Sequence, residues 1–310
     1  MEKKNPLVYL FGRNWHYAEG HRHKIFLYWS LFVLAASVNL FMLPIIGAKI
    51  TQIVATQGVN AESLKTLAVF CSLFILRSIL FWGLHMPARV LEQINAFHVK
   101  INYRKFLVKG ILTMPLEWHT EHHSGDTIDK VEKGASGLHS FSENSYESIY
   151  CLVQLLVSYG MLIYFSKIIG IVALPMLLFS VWVTMRFDRV LMPRYEELNR
   201  ADNVVSESTA DAFTNISSVI ILRVEKYVFD AIAHKLEKPL ELYRESIKLD
   251  EFKWLLTSLL CNTMYAVCLF VFLWQNYGAG PGTISGSIYL LMRYLDEIGE
   301  LFFRFAGSYS

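Results

Sequence analysis

Apolar residues in this chain fall in six long blocks, separated by polar stretches of very unequal length. The first block runs from Ile25 to Ala48 without a charge, and the second from Leu67 to Ala88 with only Arg77 inside it. The third runs from Ile149 to Phe165, the fourth from Ile168 to Met185 and the fifth from Trp254 to Trp274. The sixth starts near Thr283 and is the least pure, carrying Arg293, Asp296, Glu297, Glu300 and Arg304. A bilayer core about 30 Å thick needs roughly 20 apolar residues in a helix, so the pattern predicts six transmembrane helices. Pro44 and Pro175 are expected to kink the first and fourth, which neighbouring helices tolerate.

The connections divide into two kinds. Residues 51–66, Ser166 with Lys167, and the Gly- and Pro-rich stretch 275–282 are short. Residues 89–148 and 186–253 are long and charged, and both keep helical spacing, as in Val90, Ile94, Phe97 and Ile101 or Val228, Ile232, Leu236 and Leu240. These read as membrane helices continuing into water. About 25 extra residues at 1.5 Å each carry such a helix roughly 35–40 Å past the bilayer. Lys and Arg concentrate in the N-terminal segment and the two long stretches, which are therefore expected in the cytoplasm, with the short loops outside. Residues 5–23 mix aromatic, basic and His side chains and suit a helix lying in the interface. The expected organisation is an N-terminal elbow over residues 1–24 and a six-helix membrane domain over 25–310.

Composition agrees with lipid contact: 54% of the residues are hydrophobic and 18% charged, where soluble domains run near a quarter charged. A net charge of +2, spread along the chain, argues against a nucleic-acid partner. Cys71, Cys151, Cys261 and Cys268 all lie in apolar blocks without metal or disulfide spacing and read as small core residues. His119, His122 and His123 form a cluster that lacks the spacing of a zinc site and reads as a solvated turn, so no metal ligand is expected. No G-x-x-x-x-G-K-[ST] phosphate loop, G-x-S-x-G elbow or other catalytic set is present, so no catalytic residue is assigned. Trp82, Trp254, Trp274, Tyr146 and Tyr164 fall near span ends, where interfacial belts form.

Two local patterns sit in the long hairpins. In the first, Pro115-Leu116-Glu117-Trp118-His119 is followed by Ser124-Gly125-Asp126-Thr127-Ile128-Asp129-Lys130-Val131. In the second, Asp211, Phe213, Asn215, Ile216 and Val219 lead to Glu225. With six spans and short external loops, this arrangement resembles the exporter class of ATP-binding cassette (ABC) transporters across essentially the whole chain. The resemblance implies an all-α membrane fold with six long helices and two extended cytoplasmic hairpins. It implies coupling to an ATPase domain through Glu117, Trp118, Ser124, Gly125, Asp126, Phe213, Asn215, Ile216 and Val219. It also implies a second transporter half, identical or not, with helices four and five crossing to it, and a nucleotide-binding domain after the sixth helix that carries ATP and Mg. No cofactor is expected in this chain itself. Export by alternating access, in a bacterial inner membrane with the N-terminus cytoplasmic, is the implied role, and the full protein would be an ATP-hydrolysing translocase. Gly125 would permit a sharp turn and Asp126 would suit a helix N-terminus.

The charges of the sixth block are offset by 3, 4, 7 and 11 positions and share one helical stripe about 100° wide. A charge near the bilayer midplane costs about 2.5–3.5 kcal/mol even on a mild scale. The stripe of Arg293, Asp296, Glu297 and Glu300, with Arg77, is therefore expected to line a substrate cavity inside the bundle. Arg293 with Glu297 and Glu300 with Arg304 can pair at i, i+4. A rival reading has these groups only tie helices together, with Arg77 joining them. At the level of the whole protein the rivals are a membrane scaffold or receptor docking a cytosolic partner, and an intramembrane enzyme, for which no motif speaks.

Overall fold

The computed structural model describes residues 6–121 and 124–307, and among these it contains eleven α-helices and no strand. They are α1 (Pro6–Tyr17), α2 (Arg22–Gln57), α3 (Ala61–Leu112), α4 (Leu116–Glu121), α5 (Ser124–Glu143), α6 (Ser145–Phe165), α7 (Lys167–Thr214), α8 (Ile216–Ile221), α9 (Glu225–Glu237), α10 (Leu240–Gln275) and α11 (Pro281–Gly307). Each of the six apolar blocks lies inside one helix. α3 and α7 run 52 and 48 residues without a break, so the long polar stretches do continue membrane helices. His122 and His123 lie outside the described residues.

Five helical segments are long and apolar enough to cross a membrane by length and composition: Arg22–Gln57, Ala61–Leu112, Thr127–Phe165, Lys167–Thr214 and Glu225–Gln275. The sixth expected span, α11, is a continuous helix of 27 residues, about 40 Å long, but Arg293, Asp296 and Glu297 keep it outside that class. Length is therefore present in all six, and apolarity in five.

Local signals explain the boundaries. Gly58 at φ +69° ends α2, a conformation that costs an L side chain energy. Asn60 then accepts from the backbone of Glu62 and Ser63 while Ser63 bonds back to Asn60, a reciprocal cap that starts α3. Ser166 caps α7 by accepting from the amide of Ile169. Pro44 and Pro175 sit inside helices as expected, and so do Pro87 and Pro193.

The chain divides into two compact units, Met1–Met161 with Gly278–Glu297, and Leu162–Tyr277 with Ile298–Ser310. In the first, Tyr17, Ile25, Tyr28, Phe32, Ala88, Val99 and Leu138 form one apolar core. The helix α1 is packed onto the long extensions rather than lying free: Phe11 meets Phe141 edge-on at 5.0 Å, and Asn102 of α3 donates to the carbonyl of Tyr17 at 2.9 Å. In the second unit α7 and α10 pair along their length, burying Ile169, Ala173, Leu177 and Leu191 on one side and Cys261, Met264, Cys268 and Phe272 on the other. Lys253 is fully buried in this seam, 3.5 Å from Asp188 and 2.8 Å from Asp250.

One sequence expectation changes here. Cys71 is exposed, not a core residue, because it lies on an outward face of α3, a helix that buries little of its apolar window within the chain. Tyr146 and Trp254, expected near span ends, are also tied to neighbouring side chains. Tyr146 stacks edge-on against His85 at 4.5 Å, and the Trp254 indole donates to Asp250 at 3.1 Å. Trp82, Trp274 and Tyr164 are exposed.

Candidate functional site

The charges of α11 part into an inner and an outer set. Leu291, Tyr294, Leu295, Ile298 and Phe302 form the buried face of this helix, and the charge stripe straddles its edge. Glu297 is the member that turns inward, at 5% exposure. Its carboxylate accepts from the Arg293 guanidinium at 2.6 Å and from Gln154 Nε2 of α6 at 2.6 Å, and Gln154 also donates to the Glu297 carbonyl at 3.0 Å. Arg293 is half-buried. Asp296 is on the surface of the chain. Glu300, also exposed, takes the Arg304 guanidinium at 3.0 Å. Both i, i+4 pairs expected from the sequence are therefore made.

Arg77 does not join them. Its guanidinium donates to the Asn39 side chain of α2, and Asn39 donates to the Tyr150 hydroxyl of α6 at 3.2 Å. Tyr150, Gln154 and Ser158 recur every four residues, so they share one face of α6. Gln154 Oε1 and Ser158 Oγ are buried and make no hydrogen bond among the described residues. A buried polar atom without a partner costs about 1–3 kcal/mol, so this face suits water or a polar ligand. None of Asn39, Tyr150, Gln154 and Ser158 carries a charge, so the charge pattern of the sequence does not single them out. The available signal was a neutral polar residue repeating with helical period inside an apolar block.

Helix α11 approaches α2 closely. A Cβ at Gly286 would come within 2.9 Å of the Ala48 carbonyl oxygen, and one at Gly282 within 2.6 Å of the Thr56 side chain. The Tyr294 hydroxyl reaches the carbonyl of Leu40 at 3.4 Å.

The expected coupling residues occupy two short helices and their borders. Glu117 and Trp118 lie in the six-residue α4, and Ser124, Gly125 and Asp126 make the first turn of α5, so Asp126 stands at a helix N-terminus. Phe213 is in the last turn of α7, and Asn215 separates α7 from α8, its side-chain amide donating to the Asp211 carbonyl at 3.0 Å. No residue of α8 is buried, and Ile216 and Val219 belong to it. Phe213, Ile221 and Leu222 are 70%, 78% and 69% exposed. Among the described residues no group of three or more His, Cys, Asp or Glu side chains could hold a metal ion.

The family model described as the ABC transporter transmembrane region matches residues 25–294. This chain belongs to that family. The ABC exporter fold is also seen in the solved structure of a bacterial Atm1-family ABC exporter with ATP bound, similar at a TM-score of 0.72 and 16% identity over 92% of this chain. This chain spans 51% of the length of that exporter. No curated protein matches it in sequence. The chain is thus an ABC exporter-type transmembrane domain, all-α and multi-pass.

Proposed function

We propose that this chain is the permease domain of an ATP-driven exporter that moves a substrate by alternating access, with two halves enclosing the cavity and ATP and Mg held on a nucleotide-binding domain. The observation that carries the proposal is the unburied α8. Between Met185 and Thr214, α7 adds about 29 residues to its apolar window, roughly 40 Å of helix. At its far end Phe213, Ile221 and Leu222 are exposed, where no lipid tail can cover them. Exposed apolar groups at that distance from a bilayer call for a soluble protein partner. A rigid helix pair then transmits partner movement to the membrane. On this reading Glu117, Trp118, Phe213, Asn215, Ile216 and Val219 meet the ATPase, and Arg293, Asp296, Glu297 and Glu300 line the substrate path. The N-terminus and both hairpins face the cytoplasm of a bacterial cell.

In the reconstituted transporter with its ATPase, Phe213→Ala is expected to abolish substrate stimulation of ATP hydrolysis while leaving substrate affinity unchanged. Loss of affinity with stimulation intact would overturn the assignment.

A further inference from the structure

A single residue, Asn144, separates α5 from α6, and without it the two would be one rod of about 40 residues. The break is written locally. Asn144 Nδ2 donates to the Ser140 carbonyl at 2.8 Å, the position that its own amide would take in an unbroken helix. Ser142 Oγ lies 2.7 Å from the Leu138 carbonyl and 2.9 Å from the Asn14 side chain of α1. An interruption of this kind leaves carbonyls without partners at the end of α5 and amides without partners at the start of α6.

Two residues of α3, one helical turn apart, each meet one of these backbone groups. Arg89 donates to the carbonyl of Glu143, the last residue of α5. Glu92 accepts from the amide of Tyr146 at 2.9 Å and from the hydroxyl of Ser145, at the first turn of α6. Arg89 and Glu92 also pair with each other. The signs match the helix dipoles, a cation at a C-terminus and an anion at an N-terminus. Glu92 is fully buried, where its charge is costly unless every contact is kept. Beside it, Asn95 of α3 and the Tyr28 hydroxyl of α2 are buried neighbours that form no hydrogen bond of good geometry among the described residues.

We infer that Asn144 is a joint in the third membrane helix and that Arg89 and Glu92 of α3 are its fastening, so that α5 and α6 move as one rod while the pair is closed and pivot when it opens. The inference concerns how the hairpin is linked to the membrane helix and does not depend on what is transported. Glu92 acts here as a positioning residue.

The test uses the full chain in lipid nanodiscs, with its four cysteines replaced. Spin labels go at Ser136 of α5 and Leu156 of α6, with a control pair at Phe97 and Lys109, both in α3. In the parent protein, double electron–electron resonance should give one narrow distance distribution for each pair. In Glu92→Ala the α5–α6 distribution should broaden about twofold, as expected where one residue absorbs a hinge motion, with the α3 pair unchanged. Glu92→Gln, which keeps an acceptor oxygen for Ser145 and Tyr146, should restore most of the narrow distribution. Ser145→Ala, a milder change, should broaden it partly and covers the case in which Glu92→Ala does not fold. An unchanged α5–α6 distribution in both Ala variants would overturn the inference. So would broadening of the α3 pair, since Glu92 would then only hold the fold together.

Discussion

At the scale of single residues, Asp296 and Glu297 are neighbours in sequence with opposite environments. Glu297 is buried and its carboxylate accepts from the Arg293 guanidinium and the Gln154 amide, whereas Asp296 is on the surface. Hydrogen bonds to charged groups contribute about 1.5–3 kcal/mol, so Glu297→Ala is expected to destabilise the chain by about that amount. Denaturant titration in detergent micelles measures it. Asp296→Asn should leave that midpoint unchanged. If Asp296 faces the substrate path, the same variant should alter transport of charged substrates in proteoliposomes, and equal transport by both proteins would remove it from the path. Stability thus separates Glu297 from Asp296.

At the scale of helices, the close crossing of α2 and α11 and the seam of α7 and α10 rest on different chemistry. Gly286 lets α11 lie against the backbone of Ala48, so Gly286→Ala should cost about 1–3 kcal/mol through overpacking. Gly83 of α3 faces open space, and Gly83→Ala should instead be neutral or stabilising by about 0.5–1 kcal/mol. Thermal unfolding of the two variants compares them directly. In the seam of α7 and α10 a single ammonium sits between two carboxylates. Removing one partner of a buried pair costs about 3–5 kcal/mol, so Lys253→Met should lower stability strongly. Adding Asp188→Leu should recover part of the loss, because one of the two stranded carboxylates is then gone. A double variant no more stable than Lys253→Met would mean that Asp188 is indifferent to the lysine.

At the scale of the molecule, the proposed topology is tested at the unequal connections. Tyr277, in the short link between α10 and α11, and Leu116, in α4 of the first long hairpin, are both strongly exposed. In a background without native cysteines, Tyr277→Cys should react with an impermeant maleimide on intact cells and Leu116→Cys should react only after lysis. The reverse pattern would invert the assignment. The apolar windows of α3 and α10 bury only 6% and 28% of their residues within the chain, so most of that surface needs lipid or protein around it. That requirement fits a multi-pass membrane domain.

Much of the architecture was legible from one property of the chain, the period and length of its apolar blocks. Backbone hydrogen bonds in a bilayer must be met within each segment, so an apolar block of sufficient length can only be a helix. The two hairpins and both ion pairs of α11 follow from the same periodicity. What Arg77 bonds to, which of Asp296 and Glu297 is buried and why Cys71 is exposed were decided by tertiary structure. A helical period says which residues share a face, but not which helix that face meets. The Arg77 partner is 38 positions away, the Gln154 partner is 143 positions away, and Glu92 caps an amide 54 positions away. Such contacts exist only once the helices have packed.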